Sequence, residues 1–248
     1  MSSTNVRGLV VAVAVSCLPV AALADDWAFR LTPYLWFAGL EGDMTPVEGL
    51  PSVPVDVSPS QALEDTETGV MVMFDARRGG HGLYLDFIYT DVRSDDDAIP
   101  ELGITVRSTT KSTVFSAAYE YAFVEHDRGG IDALVGARYW EVDAKLAFSG
   151  PLGLTGSNKE DWIDPFFGVK SWSMLGDSNF YAAGGVGFGG FGVGSDFYYE
   201  INANVGYRWS KAIGTAIGYR YFDVDYDDNG FTYDAKQQGW QISLTWSF

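Results

Sequence analysis

The sequence predicts an all-β, antiparallel, up-and-down transmembrane barrel, with ten strands the best-fitting count and eight or twelve its even neighbours. Three observations carry this. Segment after segment alternates apolar and polar residues at period two, the spacing that puts successive side chains on opposite faces of a strand. Beyond residue 24 no apolar run approaches the roughly 20 residues of a membrane helix, and mean hydropathy is near neutral at −0.01. The chain also closes on "WQISLTWSF", where Trp240, Ile242, Leu244, Trp246 and Phe248 share one face and Gln241, Ser243, Thr245 and Ser247 the other. Strands that alternate lipid-facing and lumen-facing residues average to neutral hydropathy, so neutrality fits a barrel. The 29 glycines and 15% aromatic content suit strands and tight turns.

Taken in order, the pattern predicts strands near 27–42, 68–76, 83–93, 104–123, 131–148, 163–172, 180–190, 197–209, 212–226 and 231–248. The first turns Trp27, Phe29, Leu31, Leu35 and Phe37 outward, and Pro33 within it implies a bulge or a break in the ladder. The third turns out Leu83, Leu85, Phe87 and Tyr89, and the fourth Phe115, Ala117, Tyr119, Tyr121 and Phe123. The eighth, "FYYEINANVGYRW", has the longest stripe: Phe197, Tyr199, Ile201, Ala203, Val205, Tyr207 and Trp209. Its aromatic ends and aliphatic middle are the profile of a strand crossing a bilayer between two aromatic girdles. Alternation by itself also fits a secreted sandwich or a lipocalin-type barrel, whose apolar stripe faces inward.

With the N-terminus on the periplasmic side, the outer loops fall at 44–67, 94–103, 149–162, 191–196 and 227–230. The inner turns fall at 77–82, 124–130, 173–179 and 210–211. The outer loops carry fourteen acids and one base, Lys159, whereas the inner turns hold Arg77, Arg78, Arg128, Lys211 and both histidines. Within the long first loop, Ser58 to Glu67 reads as a short capped helix.

Arg7, the run "LVVAVAVSCLPVAALA" and the small-residue site Ala22-Leu23-Ala24 read as a cleaved signal peptide over residues 1–24. Its removal leaves a single 224-residue domain, 25–248, and takes away Cys17, the one cysteine. Thirty-three acids against 15 remaining bases argue against a nucleic-acid partner. The expected location is the outer membrane of a Gram-negative cell, among its lipid and lipopolysaccharide.

With the apolar stripes facing lipid, the opposite face carries Arg30, Asp75, Asp86, Glu120, Arg138, Lys170, Glu200, Arg208 and Arg220. Five bases against four acids is the near-balance a closed lumen requires, because a charge in a narrow low-dielectric space must be paired or wet. This set reads either as an ion-pair network filling the barrel or as the lining of a small pore. The expected function follows: a narrow passive channel for small solutes, or a structural envelope barrel with a plugged lumen. The alternative is a surface interaction protein acting through loop 44–67 and the acidic outer loops.

No enzyme is expected. His81 in "RRGGHG" and His126 in "VEHDRGG" fall at the inner turns, and no Ser/His/Asp arrangement forms at the outer rim. No cofactor is implied. In "DVDYDDNG", Asp225, Asp227, Asn229 and Gly230 match the first half of a calcium loop, but its twelfth position would be Lys236, and Asn-Gly is a hairpin signal. Loose binding of divalent cations by the acidic outer loops, "SDDDAIPE" among them, is expected beside an anionic leaflet.

Gly239, Ile242, Leu244, Trp246 and the terminal Phe248 resemble the C-terminal signal by which outer-membrane barrels engage the barrel assembly machinery, and the resemblance implies that machinery as a partner during biogenesis. The segments "WAFRLTPYLW", "GARYWEVD", "WIDPFFGVKSW", "GGFGVGSDFYYE", "VGYRWS" and "GYRYFDVDYDDNGFTYD" resemble a family of small Gram-negative outer-membrane β-barrel proteins loosely allied to the OmpA and OmpW types. That likeness implies fold and location and no catalytic residue.

Overall fold

The computed structural model describes residues 27–45, 47, 49, 52–99, 104–149 and 155–248; the predicted signal peptide, Cys17 included, lies outside the described residues. The elements run β1 (Trp27–Met44), β2 (Val53–Val57), α1 (Pro59–Asp65), β3 (Thr66–Arg78), β4 (His81–Ile99), β5 (Ile104–His126) and β6 (Gly129–Phe148). They continue with β7 (Thr155–Met174), β8 (Phe180–Gly190), β9 (Phe197–Arg208), β10 (Ile213–Asp228) and β11 (Phe231–Ser247). Each strand from β3 to β11 pairs antiparallel with the next, β1 pairs with β3, and β11 returns to β1. The result is a closed barrel of ten strands, which leaves no open edge within the membrane. At the junction the Phe29 and Phe248 backbones exchange hydrogen bonds of 2.9 and 3.0 Å.

The stripe of β9 settles which face looks out. Phe197, Ile201, Val205 and Trp209 are exposed while Tyr198 between them is buried, so the inward-facing alternative of a soluble sandwich does not hold. Leu35, Val135, Ile163, Ile217, Ile242 and Leu244 continue the exposed apolar band around the barrel. Trp27, Phe123, Phe180, Trp209 and Phe248 rim its inner end, and Phe167, Phe191 and Phe197 its outer end. A continuous exposed apolar band between aromatic girdles is the surface a bilayer covers.

Several boundaries differ from expectation. The predicted outer loops 94–103 and 149–162 are largely strand, since β4 runs to Ile99, β5 starts at Ile104 and β7 starts at Thr155. Ladder hydrogen bonds need no apolar face, so the hairpins continue above the band on polar cross-strand pairs such as Asp91↔Lys111 and Asp143↔Lys159. Arg77 belongs to β3 instead of a turn, and His81 and His126 are strand ends. At the outer tip, Asn229 and Gly230 have φ of 50° and 84°, the paired positive values of a two-residue I′ hairpin turn. "DVDYDDNG" is therefore a hairpin.

Pro33 breaks the ladder, as its missing N–H requires: pairing of β1 with β3 runs from Trp27↔Arg78 to Pro33↔Val72 and stops. Above it β2, absent from the sequence-based reading, takes β3's place beside β1 from Leu40↔Val57 to Met44↔Val53. α1 joins β2 to β3. Its N-cap Ser58 accepts from the Gln61 amide while its own amide donates to Gln61 Oε1, a capping box that fixes where the helix starts. A Cβ on Gly39 would lie 2.7 Å from the Val57 carbonyl oxygen and 2.9 Å from Pro59 Cδ, so glycine is what lets the chain cross there.

Candidate functional site

Antiparallel register brings the polar face of every strand into one lumen, and all nine charges predicted for it line that space. The middle layer is the most deeply buried. Glu200 Oε2 accepts from Arg220 Nη2 at 2.8 Å and lies 3.2 Å from Arg138 Nη2, bridging two guanidiniums. Arg220 also reaches Asp86 at 3.3 Å, and the Tyr34 hydroxyl donates to Asp86 at 2.8 Å. Arg138 donates from Nε to Ser116 Oγ at 2.8 Å. Its guanidinium sits 4.9 to 5.7 Å from the ring centres of Tyr198, Phe222, Phe166 and Trp140, an aromatic cage that replaces part of the lost hydration by cation–π attraction.

A second layer lies toward the inner end. Lys170 bridges Asp75 and Glu120, and Arg30 approaches Asp75 at 3.7 Å. Arg77 bridges Glu120 and Asp132. Sequence reading missed both Arg77 and Asp132, although the alternation that selected Asp75 and Arg138 reaches Asp132 within the predicted strand 131–148 and Arg77 one residue past the predicted strand 68–76. Arg208 stands apart from both layers: its guanidinium lies over the Trp172 ring, 5.4 Å from the centroid.

The outer half of the lumen is filled by rings. Trp162 stacks on Tyr226 at 4.0 Å and on Trp140 at 5.6 Å, with Tyr198, Phe222, Phe231 and Tyr233 packed around them. These residues alternate with lumen charges on the same strand faces, so the polar faces carry the plug as well. Gly189 makes room for it: a Cβ there would fall 2.3 Å from Tyr198 Cε1. Near the outer end, the Thr45 carbonyl accepts from Asn158 Nδ2 at 3.2 Å, and Val47 packs against Gly156. Ser195, in the turn between β8 and β9, is drawn in by Asp164: its amide and its hydroxyl each donate at 2.7 Å, and Trp162 Nε1 donates to Ser195 Oγ at 2.9 Å. Asp164 was not among the predicted residues.

Below the charge layers the lumen opens. A cavity of about 440 Å³ extends to the inner turns, with Arg30, Thr32, Lys170, Trp172, Asn202, Asn204, Arg208, Lys211, Arg220 and Gln241 in its lining. Gly206 seats the Tyr181 ring flat against its wall, because a Cβ there would lie 2.2 Å from Tyr181 Cζ. Of the predicted assembly-signal residues, Gly239 faces the lumen, whereas Ile242, Leu244, Trp246 and Phe248 lie on the outward face of β11, Trp246 and Phe248 with rings 4.8 Å apart. His81 contacts the Tyr119 hydroxyl on the outside of the inner rim. Among the described residues no group of three or more His, Cys, Asp or Glu side chains is arranged to hold a metal ion.

No protein-family model matches the chain, and no curated protein is similar to it in sequence. Among solved structures, the outer membrane protease OmpT from Escherichia coli superposes with a TM-score of 0.54 and 11% identity, over 90% of this chain and 97% of that one. Ail, the attachment invasion locus protein of Yersinia pestis, gives 0.40 at 10% identity over 90% and 99% of the two chains. Neisserial surface protein A gives 0.35 at 10% identity over 90% and 97%. The likeness to OmpT is one of fold, that of a Gram-negative outer-membrane β-barrel.

Proposed function

We propose that this chain is an integral outer-membrane barrel with a sealed lumen, a structural element of the envelope and not a solute channel. One observation carries the reading. Between the inner cavity and the outer mouth lie two stacked obstacles, the Arg138–Glu200–Arg220–Asp86 layer and the Trp140–Trp162–Tyr226 ring stack, whose members are all buried or largely so. A conducting pore needs a continuous wet path and mobile polar groups along it. Paired charges caged by rings and packed aromatics supply neither. The predicted signal sequence, the apolar band and the C-terminal aromatic pattern support export, insertion among outer-membrane lipid and lipopolysaccharide, and handling by the barrel assembly machinery. The OmpT likeness is not extended to proteolysis.

Swelling of liposomes containing the refolded protein tests this reading. Small neutral sugars are expected to enter no faster than into protein-free liposomes. Sugar entry through the unaltered protein would overturn the reading.

A further inference from the structure

The inner cavity differs in electrostatics from the rest of the molecule. The whole chain has a formal net charge of −17, yet the cavity lining carries six cationic side chains against three carboxylates. Four of the six are tied up: Arg30, Arg77, Lys170 and Arg220 each lie within ion-pair distance of a carboxylate. Arg208 and Lys211 have no carboxylate partner among the described residues. Arg208 is held over the face of Trp172, so its position is fixed while its N–H edge stays unpaired. A planar guanidinium presented edge-on is the group that receives a carboxylate or phosphate through two parallel hydrogen bonds.

A second observation points across the same space. Gln241 lines the cavity and is only 6% exposed, and its Nε2 donates to Asn204 Oδ1 while its Oε1 has no partner. Register places Trp172, Ala183, Asn204, Gly218 and Gln241 in one row around the barrel. Trp172 and Gln241 are four strands apart in that row, so the stretch of wall between them carries no carboxylate to compete with an incoming anion for Arg208.

We infer that the inner cavity is a binding site for a small oxyanion, entering from the inner end. Arg208 takes its carboxylate or phosphate, and Lys211 at the mouth adds attraction. The volume of about 440 Å³ lies within the ordinary range for small-molecule pockets. The site needs only the cavity and not the sealed outer half, so it stands or falls apart from the structural reading above.

Titration calorimetry of the refolded full chain in detergent tests it, with glucuronate, glucose 6-phosphate and glucose as probes. At least one of the two anions should bind, and glucose at least tenfold more weakly; which anion binds tighter distinguishes a carboxylate ligand from a phosphate one. Arg208→Gln should weaken the anion at least tenfold. Arg93→Gln, a cation on the outer hairpins, should leave it unchanged. Folding of each variant is checked by heat-modifiable gel mobility; if Arg208→Gln does not fold, Arg208→Lys, which keeps the charge and loses the planar fork, takes its place. No anion binding, equal binding of glucose, or equal losses in the Arg208 and Arg93 variants would overturn the inference.

Discussion

Glu200→Gln isolates the charge of the central carboxylate while keeping its shape. In the folded protein Glu200 serves two guanidiniums at 2.8 and 3.2 Å, and the side chains of Arg220 and Arg138 are only 4% and 1% exposed. Neutralising it leaves Arg138 with no carboxylate partner and Arg220 with Asp86 alone. Removing one partner of a buried ion pair typically costs about 3–5 kcal/mol, because the remaining charge stays buried and uncompensated. At 1.4 kcal/mol per factor of ten, the folding equilibrium should fall by roughly two to three and a half orders of magnitude. Glu67→Gln is the matched control: its partner Arg93 lies 2.6 Å away, but the side chains are 45% and 43% exposed, and such surface pairs contribute about 0–1 kcal/mol. Urea unfolding and refolding in lipid vesicles, followed by tryptophan fluorescence, measures both. A loss below about 1 kcal/mol for Glu200→Gln, equal to the control, would refute the claim that the middle layer is a desolvated ion network.

Trp140→Ala should cost about 3–5 kcal/mol in the same assay through the cavity it leaves among Trp162, Tyr198 and Phe222, while outward-facing Trp240→Ala should cost clearly less. Gly189→Ala should lose about 1–3 kcal/mol, since the added methyl meets the Tyr198 ring, and the loss should shrink in a Tyr198→Ala background. Above the apolar band, Asp225 faces Asp234 across the hairpin, and Asp234 faces Asp43. Partial burial first, then Asp234, Asp196, Asp227 and Asp223, raise the Asp225 carboxyl above the usual aspartate range. An acid whose folded pKa is raised stabilises the fold as pH falls through that value and destabilises it once ionised. Asp225→Asn should therefore raise the melting temperature at pH 7, and the gain should vanish below the ordinary aspartate pKa of about 3.9, where the wild-type group is protonated folded or unfolded.

The wall of this barrel is legible in the sequence because lipid imposes a simple rule on it: the outward positions of β9, and of β11 from Trp240 onward, are apolar, and period two shows at once. The lumen obeys no such rule. Trp140, Trp162, Tyr198, Phe222 and Tyr226 share strand faces with Arg138, Asp164, Glu200 and Arg220, so a reading that labels those faces polar finds the charges and passes over the rings between them. Arg77 was lost to the Gly79-Gly80 turn signal beside it, whereas Asp132 lay inside the predicted strand 131–148, on the same face as Arg138, and was passed over. β2 has no signal of its own, because five residues with Pro54 among them become a strand only where Pro33 vacates the edge of β1. α1 was readable, since its capping box is local.

Single-channel conductance in planar bilayers tests the sealed lumen most directly, with insertion verified by heat-modifiable mobility of the same preparation. The unaltered protein is predicted to stay silent. Steady conductance through the unaltered barrel, shifted in ion selectivity by Glu200→Gln, would contradict the account and make the charge layer the constriction of a pore.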